Sequence, residues 1–224
     1  MPISRDNPLW LQAWQANCSD FHLPWVNPWL KRFWPALKLA KGSRIFVPLC
    51  GKSLDMLWLA EQGYQVIGVE LSPIAVAAFF SENNLKPKVQ TEGLITRWQA
   101  GPITLLCGDY FTLTAAQLGW VDTIYDRAAL TALPEDIRLT YLDQMEQLVP
   151  ERVDIFMVTT EDAEEGESLE EALGTSPELT QLFAAHYIIE LMHVESLMEA
   201  DPMQPDGDDI RVEHKTYHFI GRPT

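Results

Sequence analysis

Glu70, Asp109 and Arg127 are the residues of this sequence whose types and positions best suit ligand chemistry. Each stands at or just beyond the end of an apolar run typical of a β-strand, the runs being residues 65–70, 103–107 and 121–125. A carboxylate at such a place accepts hydrogen bonds from ribose hydroxyls or from an adenine amino group. An arginine pairs with an anionic group through its planar fork. These residues therefore predict a site for an adenosine-containing ligand and an anionic group.

The elements that must position these side chains follow the order of a nucleotide-binding α/β unit. A strand at residues 44–48 ends in a turn, a helix at 53–62 follows, and the next strand ends on Glu70. Ligands in open α/β sheets lie outside the carboxyl ends of the strands, so the turn approaches the ligand closely. This turn has only Gly51, where a dinucleotide-binding loop has three glycines. The difference argues against NAD and favours another adenosine ligand, S-adenosylmethionine.

Strand-like and helix-like segments alternate along most of the chain, which predicts a mostly parallel sheet with helices on both faces. The predicted helices are residues 8–16, 27–39, 53–62, 72–83 and 134–148. The predicted strands are residues 44–48, 65–70, 96–99, 103–107, 121–125, 153–159, 188–194 and 215–220. The segment 96–99 is expected to pair with 103–107 as a hairpin, and the last two strands are expected to close the sheet as an antiparallel pair.

Three runs of sequence resemble the bacterial branch of the thiopurine S-methyltransferase family, namely residues 46–56, 68–72 and 125–134. The N-terminal spacing of Trp10, Trp14 and Asn17 is similar as well, and the resemblance extends from about residue 8 to about residue 160. It implies a class I, Rossmann-like methyltransferase fold with a seven-stranded sheet. It also implies S-adenosylmethionine as the cofactor and S-adenosylhomocysteine as the product.

The resemblance also implies how the chain is organised and which residues form the site. We expect a single domain, residues 1–224, with an N-terminal helical lid (1–40), a cofactor-binding core (41–160), and an acceptor-side loop with the closing strands (161–224). The cofactor-contacting positions that the resemblance implies are Trp14, Leu49, Glu70, Gly108, Asp109 and Arg127. The rule on strand ends adds Gly51, Leu71 and Tyr110.

Arg127, Asp20 and His22 are the candidate catalytic residues. Asp20 and His22 lie in the segment that covers the site in the family, and a histidine with a pKa near 6.5 can take the proton of a thiol. A hydrogen bond within that cover explains His22 equally well, and an ion pair with Asp126 is an alternative role for Arg127. In-line placement of the reacting atoms can supply much of the rate, so a general base is not required.

The methyl acceptor is expected to be the sulfur of a small-molecule thiol, or its selenium counterpart, because a soft thiolate attacks a sulfonium methyl group readily. Methylation of oxygen or nitrogen in a specialised metabolite is one alternative, and a non-catalytic S-adenosylmethionine-binding module is another. Residues 161–171, with seven acids in eleven residues, stand where the family has a Gly-Pro-Pro-aromatic stretch. We expect this segment to be a mobile acidic loop on the acceptor side.

Composition argues against several other classes of protein. No run of 18 apolar residues suggests a membrane span, and three cysteines without a spaced framework suit a reducing cytoplasm. Residues 1–150 contain 14 acidic and 12 basic residues, whereas residues 151–224 contain 18 and 4. Such a negative field repels nucleic acid, and the scattered histidines predict no metal site. We expect a cytoplasmic monomer that binds neither nucleic acid nor membrane.

Overall fold

The computed structural model describes residues 7–17, 22–162, 168, 172–199 and 209–222. Its helices are α1 Asn7–Gln15, α2 Pro28–Phe33, α3 Asp55–Glu61, α4 Pro73–Glu82, α5 Ala115–Leu118, α6 Glu135–Leu148 and α7 Pro177–Phe183, and its 3₁₀ helices are Trp34–Leu37 and Tyr110–Thr112. Its strands are β1 Arg44–Val47, β2 Gln65–Glu70, β3 Lys88–Glu92, β4 Ile95–Ala100, β5 Ile103–Cys107, β6 Thr123–Arg127, β7 Asp154–Asp162, β8 Tyr187–Glu199 and β9 Ile210–Gly221.

All the strands of the described residues belong to one sheet, in the order β3-β4-β5-β2-β1-β6-β7-β9-β8. The central strands β5, β2, β1, β6 and β7 are parallel, and the pairs at both edges are antiparallel. The α/β fold class is confirmed, although the sheet has nine strands where the resemblance implies seven and the sequence pattern predicts eight. The strand missing from the sequence prediction is β3, in which every residue is exposed, so that no apolar pattern marks it.

The apolar runs of the central strands are continuous because both faces of the sheet are covered. Neighbouring residues of β1 belong to different cores: Ile45 packs with one buried cluster and Phe46 with the other. Val66 and Ile67 of β2 divide in the same way. Since successive side chains of a strand point to opposite faces, each central strand contributes to two cores and holds the carboxyl edge of the sheet firmly.

The predicted helix 27–39 is shorter than expected. Asn27 caps α2 by accepting hydrogen bonds from the backbone of Trp29 and Leu30, and α2 ends at Phe33. A 3₁₀ turn then carries Pro35, which has no backbone N–H to continue the α-helical pattern. The turn buries Trp34, which packs edge-on against Tyr125 of β6.

The closing strands are longer than predicted, and part of the predicted acidic loop is strand. Glu161 and Asp162 continue β7, opposite Glu213 and Val212 of β9. The Glu161 side chain accepts hydrogen bonds from Lys215 Nζ at 2.9 Å and from Tyr217 Oη at 3.3 Å. The expectation of a loop is therefore wrong for these two residues, while 163–167 and 169–171 lie outside the described residues. In the part of the chain that the structure describes, no helix is long and apolar enough to cross a membrane.

Candidate active site

An open cleft lies at the carboxyl ends of β1, β2, β5 and β6. It is lined by Asn7, Trp10, Trp14, His22, Leu49, Cys50, Gly51, Lys52, Ser53, Glu70, Leu71, Asp109, Tyr110, Phe111, Arg127, Ala128, Ala129, Ala132 and Leu133. These residues come from α1, from the turn after β1 and from the segments that follow β2, β5 and β6. The cleft is thus where the rule for open α/β sheets places a ligand.

Glu70 ends β2 at the floor of the cleft and is only 6% exposed. Its Oε2 accepts a hydrogen bond from Gly51 N at 2.8 Å, and its Oε1 accepts one from Ser72 N at 2.6 Å. Burial raises the pKa of Glu70 to about 7, against the lowering effect of these backbone hydrogen bonds. Because each carboxylate oxygen has a second lone pair, Glu70 can still accept hydrogen bonds from two ligand hydroxyls.

The turn after β1 brings backbone and an indole ring close together. Leu49 and Gly51 both have positive φ, at 45° and 52°. A Cβ on Gly51 would lie 3.4 Å from the Trp14 ring, so the indole packs directly on this turn. Glycine suits this place because it adopts a left-handed conformation without strain and leaves room for the ring. Trp14 itself is 7% exposed, and α1 thereby forms one wall of the cleft.

Gly108 lies beside the cleft, where it packs against the edge hairpin. A Cβ at this position would come within 2.4 Å of Ile95 Cδ1, and the Gly108 N–H donates to Glu70 O at 2.9 Å. The glycine therefore lets β4 approach the end of β5 closely. Its place in the structure is explained by packing around the site, while direct contact with a cofactor stays a prediction.

Asp109 and Tyr110 follow Gly108 and are both tied to other elements. Asp109 Oδ1 caps the following 3₁₀ turn through Phe111 N at 2.9 Å, and Oδ2 accepts from Asn7 Nδ2 at 2.9 Å. Tyr110 is buried and donates its hydroxyl proton to the Tyr141 carbonyl at 3.0 Å. Asp109 thus joins α1 to the end of β5 at the rim of the cleft.

Arg127 lines the cleft with a side chain that is 20% exposed. Its Nε lies 3.3 Å from Asp55 Oδ2, so the ion pair is with Asp55 and not with the neighbouring Asp126. Asp126 instead accepts hydrogen bonds from Tyr141 Oη and Ala129 N, both at 2.8 Å. The alternative of an Asp126–Arg127 pair fails because adjacent residues of a strand point to opposite faces of the sheet.

His22 lines the cleft, whereas Asp20 lies outside the described residues. Burial lowers the pKa of His22 from its ordinary value, and the positive charges of Lys52 and Arg127 lower it further. A lowered pKa keeps the imidazole neutral at physiological pH, and the neutral ring can accept a proton. His22 lies near Lys52 and Arg127, and these two cations are paired with Glu82 and Asp55 respectively.

Several lining residues were not singled out from the sequence. Asn7 and Phe111 gave no signal of their own, while Trp10, Lys52 and Ala129 belong to the segments that carry the family resemblance. Asp55 was also missed, although it lies in the first of those runs. Among the described residues, no group of three or more histidine, cysteine or acidic side chains is arranged to hold a metal ion.

Two solved structures share this architecture over nearly the whole chain. One is an S-adenosylmethionine-dependent methyltransferase from Anabaena variabilis, with a TM-score of 0.60, 16% identity, and 99% of each chain covered. The other is the 1,6-didemethyltoxoflavin N1-methyltransferase of Burkholderia thailandensis, solved with its substrate and S-adenosylhomocysteine. Its TM-score is 0.60 at 15% identity, over 96% of this chain and 87% of the other. The fold is that of a class I methyltransferase.

The sequence narrows the class to a family. The model of the thiopurine S-methyltransferase family matches residues 5–221. The thiopurine S-methyltransferase of Stutzerimonas stutzeri is 54% identical over 217 residues, which cover 97% of this chain and 92% of the relative. The chain belongs to the thiopurine S-methyltransferase family, and it is an S-adenosylmethionine-dependent methyltransferase. The match also extends the resemblance past residue 160, through the closing strands.

Proposed function

We propose that the protein transfers the methyl group of S-adenosylmethionine to the sulfur, or selenium, of a small-molecule thiol. The observation that carries this proposal is the division of the cleft into two parts. A buried carboxylate, Glu70, stands beside the turn at one part, and the other part is lined by the neutral imidazole of His22 with the cations Lys52 and Arg127 near it. Family membership supports the same division between a cofactor half and an acceptor half.

In the cofactor half, the ribose hydroxyls of S-adenosylmethionine donate to Glu70. The turn at Leu49 and Gly51 follows the ligand closely, with Leu71 on the opposite side and the Trp14 ring above. Gly108, Asp109 and Tyr110 form the adenine end, where the second lone pairs of the Asp109 oxygens accept the adenine amino group. This arrangement uses the cofactor positions that the sequence predicts, apart from Arg127.

In the acceptor half, Arg127 pairs with the carboxylate of the cofactor or with the anionic acceptor. His22 takes the thiol proton where the acceptor arrives protonated, and Asp20 assists it from the covering segment. The apolar side chains of Ala129, Ala132 and Leu133 form a wall against which an aromatic or aliphatic thiol packs. A thiolate held in line with the sulfonium would attack the methyl carbon, so that its new S–C bond forms as the bond from the methyl group to the sulfonium sulfur breaks and S-adenosylhomocysteine leaves.

The same proposal covers the partners of the protein, its compartment and its organisation. The partners in this proposal are small molecules, because a net charge of −16 repels nucleic acid. The protein is proposed to act in the cytoplasm as a monomer. Three cysteines without a disulfide framework suit that compartment. The chain forms a single domain in which residues 1–40 cover the cofactor-binding core.

The test is a panel of thiols, selenols, amines and phenols incubated with the protein and S-adenosylmethionine. Release of S-adenosylhomocysteine and the methylated product are measured together, by chromatography and mass spectrometry. We expect thiols and selenols to be methylated and the other acceptors to react slowly. Preferred methylation of an amine or a phenol would overturn the acceptor assignment, and release of no S-adenosylhomocysteine with any acceptor would favour a non-catalytic binding module.

A further inference from the structure

Asp55 is a buried carboxylate that the proposed chemistry does not use. It is the first residue of α3 and is 2% exposed. Its Oδ1 accepts a hydrogen bond from Asn27 N at 2.7 Å. Its Oδ2 accepts one from Tyr125 Oη at 2.8 Å and lies 3.3 Å from Arg127 Nε. Three separate parts of the chain therefore converge on one carboxylate.

The cost of burying a charge makes this convergence informative. A carboxylate removed from water is destabilising unless hydrogen bonds and an opposite charge compensate it. Burial raises the pKa of Tyr125 well above its ordinary value, and Asp55 raises it further, so the hydroxyl stays protonated and donates. With a donor on each oxygen and the guanidinium beside it, Asp55 is held in one orientation.

Arg127 is oriented in turn, because its only ion pair within the described residues is made through Nε. The guanidinium is planar, so a partner at Nε limits how the remaining two nitrogens can point. In the part of the chain that the structure describes, those two nitrogens make no hydrogen bond, although Arg127 lines the cleft. The guanidinium group is thus held at Nε, and its two terminal nitrogens can bind an anion.

We propose that Asp55 is a positioning residue, which fixes the guanidinium plane of Arg127 so that its two terminal nitrogens meet the anionic group in the cleft. This inference rests on the proposed role of Arg127 in binding that group. Without Asp55 the arginine keeps its charge but loses its preferred orientation, and part of the binding energy is then spent on ordering the side chain.

The same carboxylate also joins Arg127 to the N-terminal cover. Asp55 holds the backbone of Asn27, whose own side chain caps α2. On its outer side α2 stacks Trp29 on His214 of β9, with ring centres 4.8 Å apart. The position of α2 and the direction of the Arg127 fork therefore depend on one common group.

The test is a double-mutant cycle of Asp55→Asn and Arg127→Lys. The amide of Asp55→Asn has nearly the same shape and still accepts from Asn27, but it removes the charge beside Arg127. Turnover is followed with whichever acceptor of the panel the wild-type protein methylates fastest, so the result does not depend on the acceptor being a thiol. We expect Asp55→Asn alone to lower kcat/KM about ten- to a hundredfold, because the substitution removes the buried charge that is paired with Arg127.

The decisive measurement is the effect of Asp55→Asn in the Arg127→Lys background. If Asp55 acts through Arg127, the second substitution lowers kcat/KM less than about threefold there, because coupled residues are not additive. If the two substitutions lower kcat/KM independently, so that their fold-changes multiply in the double variant, the proposal is overturned. A fully active Arg127→Lys variant would instead overturn the role of Arg127 in the proposed function, which is a different result.

A matched control separates positioning from stability. Glu213 is a buried acid that is paired with Arg211 at 2.9 Å on β9 and does not line the cleft. Glu213→Gln should lower the melting temperature as Asp55→Asn does while leaving kcat/KM per folded molecule unchanged. If Asp55→Asn does not fold, Tyr125→Phe removes one bond to Asp55, and we expect a loss of about threefold or more that disappears in the Arg127→Lys background. Unchanged kcat/KM in Tyr125→Phe would then count against the proposal.

Discussion

At the scale of single residues, Glu70 is the group on which cofactor affinity should depend most. Replacing it with alanine removes the charged acceptor of two ribose hydroxyls, and the N–H groups of Gly51 and Ser72 lose their partner. We expect a loss of about 1.5–3 kcal/mol, which is roughly ten- to a hundredfold in affinity for S-adenosylhomocysteine. Calorimetric titration of the Glu70→Ala variant measures it. Unchanged affinity would refute the assignment of Glu70 to the ribose.

The raised pKa of Glu70 predicts a pH dependence of cofactor binding. Burial raises that pKa from 4.5 to about 7 in the protein without ligand, and ribose hydroxyls bind the ionised carboxylate. Affinity for S-adenosylhomocysteine should therefore rise with pH and level off above 7, being about tenfold lower at pH 6 than at pH 8. Binding near pH 6 should also release a proton, which calorimetry in buffers of different ionisation enthalpy detects.

The raised pKa of Glu70 has the opposite effect on the stability of the fold, which falls as the pH rises. The unfolded chain loses the Glu70 proton near pH 4.5, whereas the folded protein holds it until about pH 7, so this group reduces stability as the pH rises between those values. Glu70→Gln cannot titrate and is the control for both measurements. If the pH dependence of binding persisted unchanged in Glu70→Gln, another group, such as His22, would be its source.

The residues that could be predicted from the sequence share a simple local signal. Glu70 and Arg127 each end a strand, and strand ends meet at one edge of a parallel sheet, so their convergence follows from the pattern alone. Asp55 gives no such signal, since an acid in the first turn of a helix is commonly explained by the helix dipole. Its burial and its pairing with Arg127 depend on how α3 packs against β6, which spacing in the sequence does not reveal.

At the scale of elements, the acidic segment after β7 should influence which acceptors enter the cleft. Arg127 lies opposite Val158 in the sheet, and Glu161 stands three residues further along β7, so the segment begins near Arg127. Glu164, Glu165 and Glu167 follow in the sequence. Changing these three to glutamine should lower KM for anionic thiols about two- to fivefold, since a distant charge acts across water with a few tenths of a kcal/mol.

A matched variant distinguishes a local effect from a change in total charge. Glu61, Glu92 and Glu146 lie on α3, β3 and α6 and do not line the cleft. Converting these three to glutamine removes the same charge elsewhere and should leave KM nearly unchanged. Affinity for S-adenosylhomocysteine should not change in either variant. Equal kinetics in both variants, for acceptors of different charge, would show that the acidic segment has no part in acceptor selection.

The elements that the sequence predicted well are the strands that are covered on both faces of the sheet. The strands β1, β2 and β5 are continuous apolar runs and were placed within a residue or two. The strand β3 was missed because it is an exposed edge strand with no apolar face. The pair β8 and β9 extends well beyond its apolar stretches, because their pairing continues through polar residues such as Glu199 opposite Ile210. Backbone hydrogen bonds between strands do not depend on apolar side chains, so hydropathy underestimates such strands.

At the scale of the whole molecule, the net negative charge opposes the attraction of the two cations in the cleft for an anionic acceptor. The chain carries a net charge of −16, while Lys52 and Arg127 line one part of the site. Salt screens exposed charges far more than partly buried ones, and the screening length falls from about 30 Å at 0.01 M to about 8 Å at 0.15 M. Over that range kcat/KM for an anionic thiol should therefore rise about two- to tenfold.

Steady-state kinetics with three thiols of different charge checks this prediction. For a neutral thiol, kcat/KM should change little with salt. For a cationic thiol, kcat/KM should fall as the salt concentration rises, because screening removes its long-range attraction to the negatively charged protein. A fall in kcat/KM for the anionic thiol would mean that the charges lining the cleft outweigh the field of the whole protein.

The hydrogen bond between Asn7 and Asp109 has a consequence for how the chain is made. Asn7 leaves the ribosome early, but its partner is 102 residues further along the sequence. At a synthesis rate of about 5–20 residues per second, the first helix waits roughly 5–20 s before that partner exists. During that time α1 has no strand end to rest on, and its indole side chains, Trp10 and Trp14, lack the cleft that later receives them. The wall that α1 builds can therefore close only after the chain has been made as far as the end of β5.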